Sequence, residues 1–270
     1  MRLILFGFLL FGSFLSQGLR AYEFQDWEYQ QIRRTSLAII QGKPSSQYVI
    51  VGIGRSPTPF TAFIQNLDPA HAINVPLSNI GLIRPNSLSG ELSPDKEAEL
   101  FRHLDRYLKQ PLGNGKKLVV VDFVSRGNSF KGLSYYLDRY VRSSGKSEAL
   151  EYCMLGSSEY FNKLKAQSQS SRYRFLEIPN DLYEDNVSRR LARKEYKNYS
   201  EFGQFDSRLE DGIKQDTAPV VRPEFDQFKN DLKKRMLKDD LLRDKLGSNG
   251  SFADCKTQTV RSLKKILASH

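Results

Sequence analysis

The chain has 270 residues, enough to bury a full core, and 39% of them are hydrophobic, which excludes a wholly disordered protein. Its formal charge of +10 favours anionic partners but does not by itself identify nucleic acid. Two distant cysteines and three histidines, His71, His103 and His270, lack the spacing of a zinc ribbon or another metal site.

The first 21 residues read as a secretory signal. Arg2 precedes a short apolar stretch from Leu3 to Leu15, and Ala21 stands at a plausible cleavage edge. The stretch is short for a membrane span, and an uncleaved anchor is the alternative. No later segment is apolar enough to cross a bilayer, so a secreted or periplasmic location is expected, with no membrane span after cleavage.

Tyr22 to Leu37 predicts a helix leading into the fold. Gln47 to Gly54 reads as a first buried strand, Arg55 to Pro59 as a loop, and Phe60 to Leu67 as a short helix. Ala72 to Ser78 predicts a second strand, followed by a loop over Gly81 to Gly90. Ser93-Pro94 is a helix start, an N-cap residue before a proline that needs no hydrogen-bond partner for its nitrogen. Leu100, Phe101, Leu104 and Leu108 then form one apolar stripe.

Leu118 to Val121 is apolar on both faces, as in a strand buried within a parallel sheet. It ends in Asp122 and a small polar loop, Ser125-Arg126-Gly127-Asn128-Ser129. A helix pattern follows, with Phe130, Leu133, Leu137, Tyr140 and Val141 at spacings of three and four. Ala149 to Leu155 and Tyr173 to Ile178 predict two more strands, with a helix between them over Ser158 to Ala166. Strands and helices in alternation predict an α/β fold: a mainly parallel sheet with helices on both faces and right-handed crossovers. From Asp181 the pattern turns helical and charged. The expected division is a signal at 1–21, an α/β domain at 22–180, a helical C-terminal extension at 181–246, and a mobile loop with a terminal helix at 247–270.

Two strand ends carry the chemistry. Gly54-Arg55-Ser56-Pro57-Thr58 and Asp122 to Ser129 are polar glycine loops, each between a buried strand and a helix. Taken singly, each glycine makes a tight turn and each arginine faces water. Taken together, loops at the carboxyl ends of parallel strands build a ligand crevice, and Arg55 and Arg126 suit a ligand with anionic groups at two points. A helix start after each loop adds unpaired backbone donors.

The segment Val121-Asp122-Phe123-Val124-Ser125-Arg126-Gly127-Asn128-Ser129 resembles the diphosphoribosyl-binding motif of the type I phosphoribosyltransferases. That motif has two acids, three variable residues and a Thr-Gly-Gly-Thr loop or a variant of it. Val49 to Thr58 resembles the family's earlier pyrophosphate loop, and the likeness covers approximately Tyr48 to Pro179. Val121 stands in place of the first acid, Ser125 in place of a frequent third acid, and Arg126 in place of a threonine. The resemblance implies a divergent phosphoribosyltransferase-like fold that binds a phosphorylated sugar or nucleotide. It implies that Asp122 holds ribose hydroxyls as the catalytic residue and that Arg126, Gly127, Asn128 and Ser129 hold the 5-phosphate. Gly54, Arg55, Ser56 and Thr58 would hold pyrophosphate. Phosphoribosyl transfer, with Mg²⁺ as cofactor, is the family's reaction. The acceptor would be set by a variable hood, for which Tyr22 to Lys43 or the C-terminal third are the candidates.

Other chemistries lack their residues. There is no Gly-x-Ser-x-Gly elbow, no P-loop lysine motif, and no Cys-x5-Arg loop after Cys153. His103 reads as a surface helix residue, and Asp239-Asp240 as a solvated pair. Cys153 and Cys255 could form a disulfide in an oxidising compartment, or could be unrelated thiols. The competing function is a non-enzymatic secreted interaction protein whose basic helical C-terminal region, including Lys233-Lys234-Arg235, contacts a protein or an anionic surface.

Overall fold

The computed structural model describes residues 24–78, 92–124, 128–156, 171–178, 205–206 and 223–243. In chain order its elements are α1 (Asp26–Ile40), β1 (Tyr48–Ile53), α2 (Thr58–Leu67), β2 (Ala72–Val75), β3 (Leu77–Ser78), α3 (Pro94–Gly113), β4 (Lys117–Phe123), α4 (Asn128–Ser143), β5 (Leu150–Gly156), β6 (Tyr173–Glu177), β7 (Phe205–Asp206), α5 (Pro223–Lys238) and α6 (Asp240–Arg243). Five strands form one sheet in the order β2-β1-β4-β5-β6, and every pairing in it is parallel. This is the α/β architecture that the alternating pattern predicts. The helix expected over Ser158 to Ala166 and the loop over Gly81 to Gly90 lie outside the described residues, as do the signal and the chain past 243.

Two hydrophobic layers sandwich the sheet. Alternate residues of each buried strand point to opposite faces, so a continuous apolar run feeds both layers. Ile50, Val119, Val121, Cys153 and Leu155 face α1, α2 and α5. Val49, Val51, Leu118, Val120, Tyr152 and Met154 face α3 and α4. The predicted α4 stripe is buried in that second layer: Phe130, Leu133, Leu137, Tyr140 and Val141 are all at most 5% exposed.

Local signals fix the helix starts. The Ser93 side chain accepts a hydrogen bond from the Lys96 amide, as expected of an N-cap before Pro94. α1 opens with a capping box, in which the Glu28 side chain accepts from the Gln25 amide. The second predicted strand is interrupted. Pro76 separates β2 from β3, and β3 leaves the main sheet to pair in parallel with β7. Proline has no amide hydrogen to donate to a ladder, so the strand changes partners there.

Tyr22 to Lys43, one candidate for a hood, includes α1, whose Ile32, Leu37 and Ile39 are buried against the sheet layer. It is a covering helix of the core. The C-terminal helices also pack on the sheet domain: Phe225, Phe228, Leu232, Met236 and Leu242 share a core with α1 and α2. Cys153 is a free thiol buried within β5, so it forms no disulfide. Burial pushes its pKa up, against the pull of the nearby Arg174 guanidinium.

Candidate functional site

All five strands of the main sheet run the same way, so their carboxyl ends share one edge. From β1 the chain crosses through α2 to β2 on one side, and β4 lies on the other side of β1. The winding therefore reverses between β1 and β4. In open α/β sheets, that reversal opens the crevice in which ligands bind. The two glycine-bearing loops picked out in the sequence follow these two strands. β1 and β4 are hydrogen-bonded neighbours, with Gly52 level with Val121, so Arg55 and Asp122 emerge from adjacent strands at the same edge.

The β1 loop is held close to α2. A Cβ on Gly52 would lie 2.7 Å from Asn74 Oδ1 and 2.7 Å from Thr61 Cγ2. Only glycine lets α2 approach this closely. Thr61 Oγ1 donates to Asn74 Oδ1 at 2.6 Å and ties the helix to β2. Gly54 then turns the chain with φ of 69°, a left-handed conformation that glycine adopts without strain, and its amide donates to Val75 O at 2.9 Å. Arg55 and Ser56 are half-buried. Thr58 is fully buried, and its Oγ1 has no hydrogen-bond partner.

On β4, alternation puts Asp122 on the α3/α4 side with Val120 and Val124. It is level with Met154 on β5 and follows the position paired with Gly52 on β1. Its carboxyl is partly buried among apolar neighbours and forms no ion pair among the described residues. Desolvation pushes its pKa up to about 7, against a stabilising hydrogen bond from the Phe123 amide. A carboxyl that stays half-protonated near neutrality, at the switch point of a parallel sheet, has the signature of a functional group.

Ser125, Arg126 and Gly127 lie outside the described residues. Asn128 and Ser129 form the first turn of α4, so the β4 loop does feed a helix. The described residues do not fit the magnesium that the family resemblance implies. Val121, in place of the first acid, is fully buried on the opposite face of the sheet from Asp122. No group of three metal-ligating side chains occurs among the described residues.

Searches of family models, curated proteins and solved structures find no significant match to this chain. Function therefore has to be argued from the site itself.

Several residues differ from their sequence reading. His103, expected at the surface, is fully buried, and its Nε2 lies 2.9 Å from Pro76 O. Burial lowers its pKa to about 4, so it is a neutral core residue at physiological pH. Asp239, expected to be solvated, accepts from Tyr29 Oη at 2.8 Å and pairs with Arg33 Nε at 2.7 Å. Arg235 of the basic run is held by Asp26 and by the Phe24 carbonyl. The opposite, amino edge of the sheet carries an open groove of about 590 Å³ lined by Lys43, Lys117, Asp138, Arg142, Glu151 and Arg172 among others. Two ion pairs, Lys43–Glu151 and Arg172–Asp138, already neutralise most of its charge. No sequence signal pointed there, because its residues come from five separate segments.

Proposed function

We infer that this chain is an exported, phosphoribosyltransferase-like protein that binds a phosphorylated sugar or nucleotide at the carboxyl edge of its sheet. One observation carries the reading: the β1 and β4 ends are adjacent at the switch point and bring Arg55 and Asp122 to one edge. In this reading Asp122 binds ribose hydroxyls, and the β4 loop, with Arg126, Gly127, Asn128 and Ser129, takes the 5-phosphate. The Gly54 to Thr58 loop takes the anion at the other end of the ligand. Catalysis in such a crevice would be positioning and charge stabilisation, as in the family that the sequence resembles.

The test is a calorimetric titration of the folded chain with phosphoribosyl diphosphate and with nucleotides, each with and without Mg²⁺. Binding that is lost in Asp122→Asn and in Arg126→Ala supports the reading. Absence of binding by every phosphorylated ligand, with a folded protein, overturns it. Release of pyrophosphate in the presence of an acceptor base would assign transferase activity.

The competing reading, in which the basic C-terminal helix is the functional surface, is weakened by Arg235. Its guanidinium packs over the Phe24 ring and is engaged by Asp26, and Lys234 pairs with Asp231 at 3.1 Å, so the run does not present three free cations.

A further inference from the structure

We propose that the β1 loop engages only one phosphoryl group of its ligand, even where that ligand carries a diphosphate. This rests on the reading above, that a phosphorylated ligand occupies the carboxyl edge, and narrows how that ligand is held. From Gly54 to Thr61 most backbone donors are already used. The Gly54 amide is taken by Val75 O. Thr58 N–H donates to Arg55 O at 3.4 Å, and Phe60 and Thr61 donate to Pro57 O at 3.1 Å. Pro57 and Pro59 have no amide hydrogen. The first turn of α2 thus has no spare backbone donor for an anion, unlike an ordinary helix start.

What remains is compact. Among the described residues the Arg55 and Ser56 amides have no acceptor and the half-buried Arg55 guanidinium has no ion-pair partner, and Ser56 is half-buried next to it. Thr58, two residues on, has a buried hydroxyl that finds no partner among the described residues. One guanidinium fork and two amides match the three acceptor oxygens and roughly two negative charges of one phosphoryl group. A second phosphoryl group would find at most the Ser56 hydroxyl as a further donor in this loop, because the Thr58 hydroxyl is sealed from solvent. Its extra charge would stand at the same sheet edge as Asp122, which has no cation beside it among the described residues. Val121 supplies no acid with which Asp122 could hold a charge-neutralising metal ion.

The probes are inorganic phosphate and inorganic pyrophosphate, titrated into the full chain by calorimetry with and without Mg²⁺, against wild type, Arg55→Ala and Arg55→Lys. Circular dichroism checks that each variant is folded. The two anions should bind within about tenfold of each other, gain little from Mg²⁺, and both weaken about tenfold or more in Arg55→Ala. Arg55→Lys keeps the charge but loses the fork, and should fall between wild type and Arg55→Ala. Pyrophosphate binding about a hundredfold tighter than phosphate, and lost in Arg55→Ala, overturns the single-phosphoryl limit but leaves the phosphate-site reading intact. Binding of either anion unchanged in a folded Arg55→Ala overturns the proposal by placing the anion elsewhere. If neither anion binds, the proposal falls; the reading falls with it only if sugar phosphates and nucleotides also fail to bind.

Discussion

Asp239 shows how a single side chain joins distant parts of the chain. Its carboxylate accepts from Tyr29 and pairs with Arg33, whose side chain is 6% exposed. Removing one partner of a buried pair strands the other charge in a medium that solvates it poorly. Asp239→Ala should therefore cost about 3 kcal/mol or more, read as a lower urea midpoint with an unchanged slope. Arg33→Met in the same chain should recover part of that loss, because it removes the stranded guanidinium. A double variant no more stable than Asp239→Ala would show that the pair is not coupled. Asp122 makes an opposite prediction. Its pKa rises from 3.8 to about 7 on folding, so the native state binds more protons than the unfolded state between those values. Stability should then fall as pH rises from about 4 to 7 and level off above 7. Asp122→Asn removes this linkage. Relative to wild type, it should gain stability over that window, on the order of 3 to 4 kcal/mol when fully developed. A variant that is more stable at pH 8 yet binds no phosphorylated ligand would mark Asp122 as a group kept for function at a cost to the fold. A flat difference between the two proteins across pH 4 to 8 would reject the perturbed carboxyl.

At the scale of elements, β1 and α2 approach closely at Gly52. Gly52→Ala would push a methyl group to 2.7 Å from both Thr61 Cγ2 and Asn74 Oδ1, so the helix must retreat from the strand. The expected cost is about 1–3 kcal/mol, visible as a lower thermal midpoint. Thr61→Ser in the same chain removes the clashing methyl and should restore part of it. Because α2 follows directly from the candidate loop, Gly52→Ala should also weaken phosphate binding more than its effect on stability accounts for. The elements legible in the sequence are those whose pattern is local. β4 and β5 announce themselves as apolar runs, α4 by its three-and-four spacing, and α3 by Ser93-Pro94. That the two candidate loops share one edge followed from strand alternation, since strands joined by helices build one parallel sheet; that β1 and β4 are neighbours did not, because β2 lies between them in the chain. The rest depends on pairings that no local pattern encodes. Asp239 meets Tyr29 across 210 positions of sequence, β7 is two residues long, and Pro76 redirects a strand that the apolar pattern runs straight through. His103 lies on a helix whose apolar stripe did not include it, and its burial follows from the position of Pro76.

For the molecule as a whole, the C-terminal helices decide how much of the chain is needed to fold. The sequence reads 181–246 as a helical extension packed on the α/β domain at 22–180. Phe225, Phe228, Leu232, Met236 and Leu242 are each at most 6% exposed, and they pack with Phe24, Tyr29, Phe63 and Leu67 in the layer over β1 and β4. Phe24 and Phe228 meet edge to face at 5.2 Å, and Asn66 donates to the Lys229 carbonyl at 3.1 Å. Burying five large apolar side chains contributes roughly 1.5–3 kcal/mol each, a sum comparable to the whole net stability of a domain. A chain ending before Pro223 should therefore not reach a stable native state. It should bind a hydrophobic dye and show no cooperative thermal transition, because the outer surfaces of α1 and α2 are left bare. A chain ending at Gly247 keeps every described contact of α5 and α6 and should unfold cooperatively, with a midpoint near that of the full chain. If the shorter chain instead folds with a sharp transition and still binds phosphate, the C-terminal helices are an accessory, and the α/β domain ends where the sequence pattern puts its boundary, near residue 180.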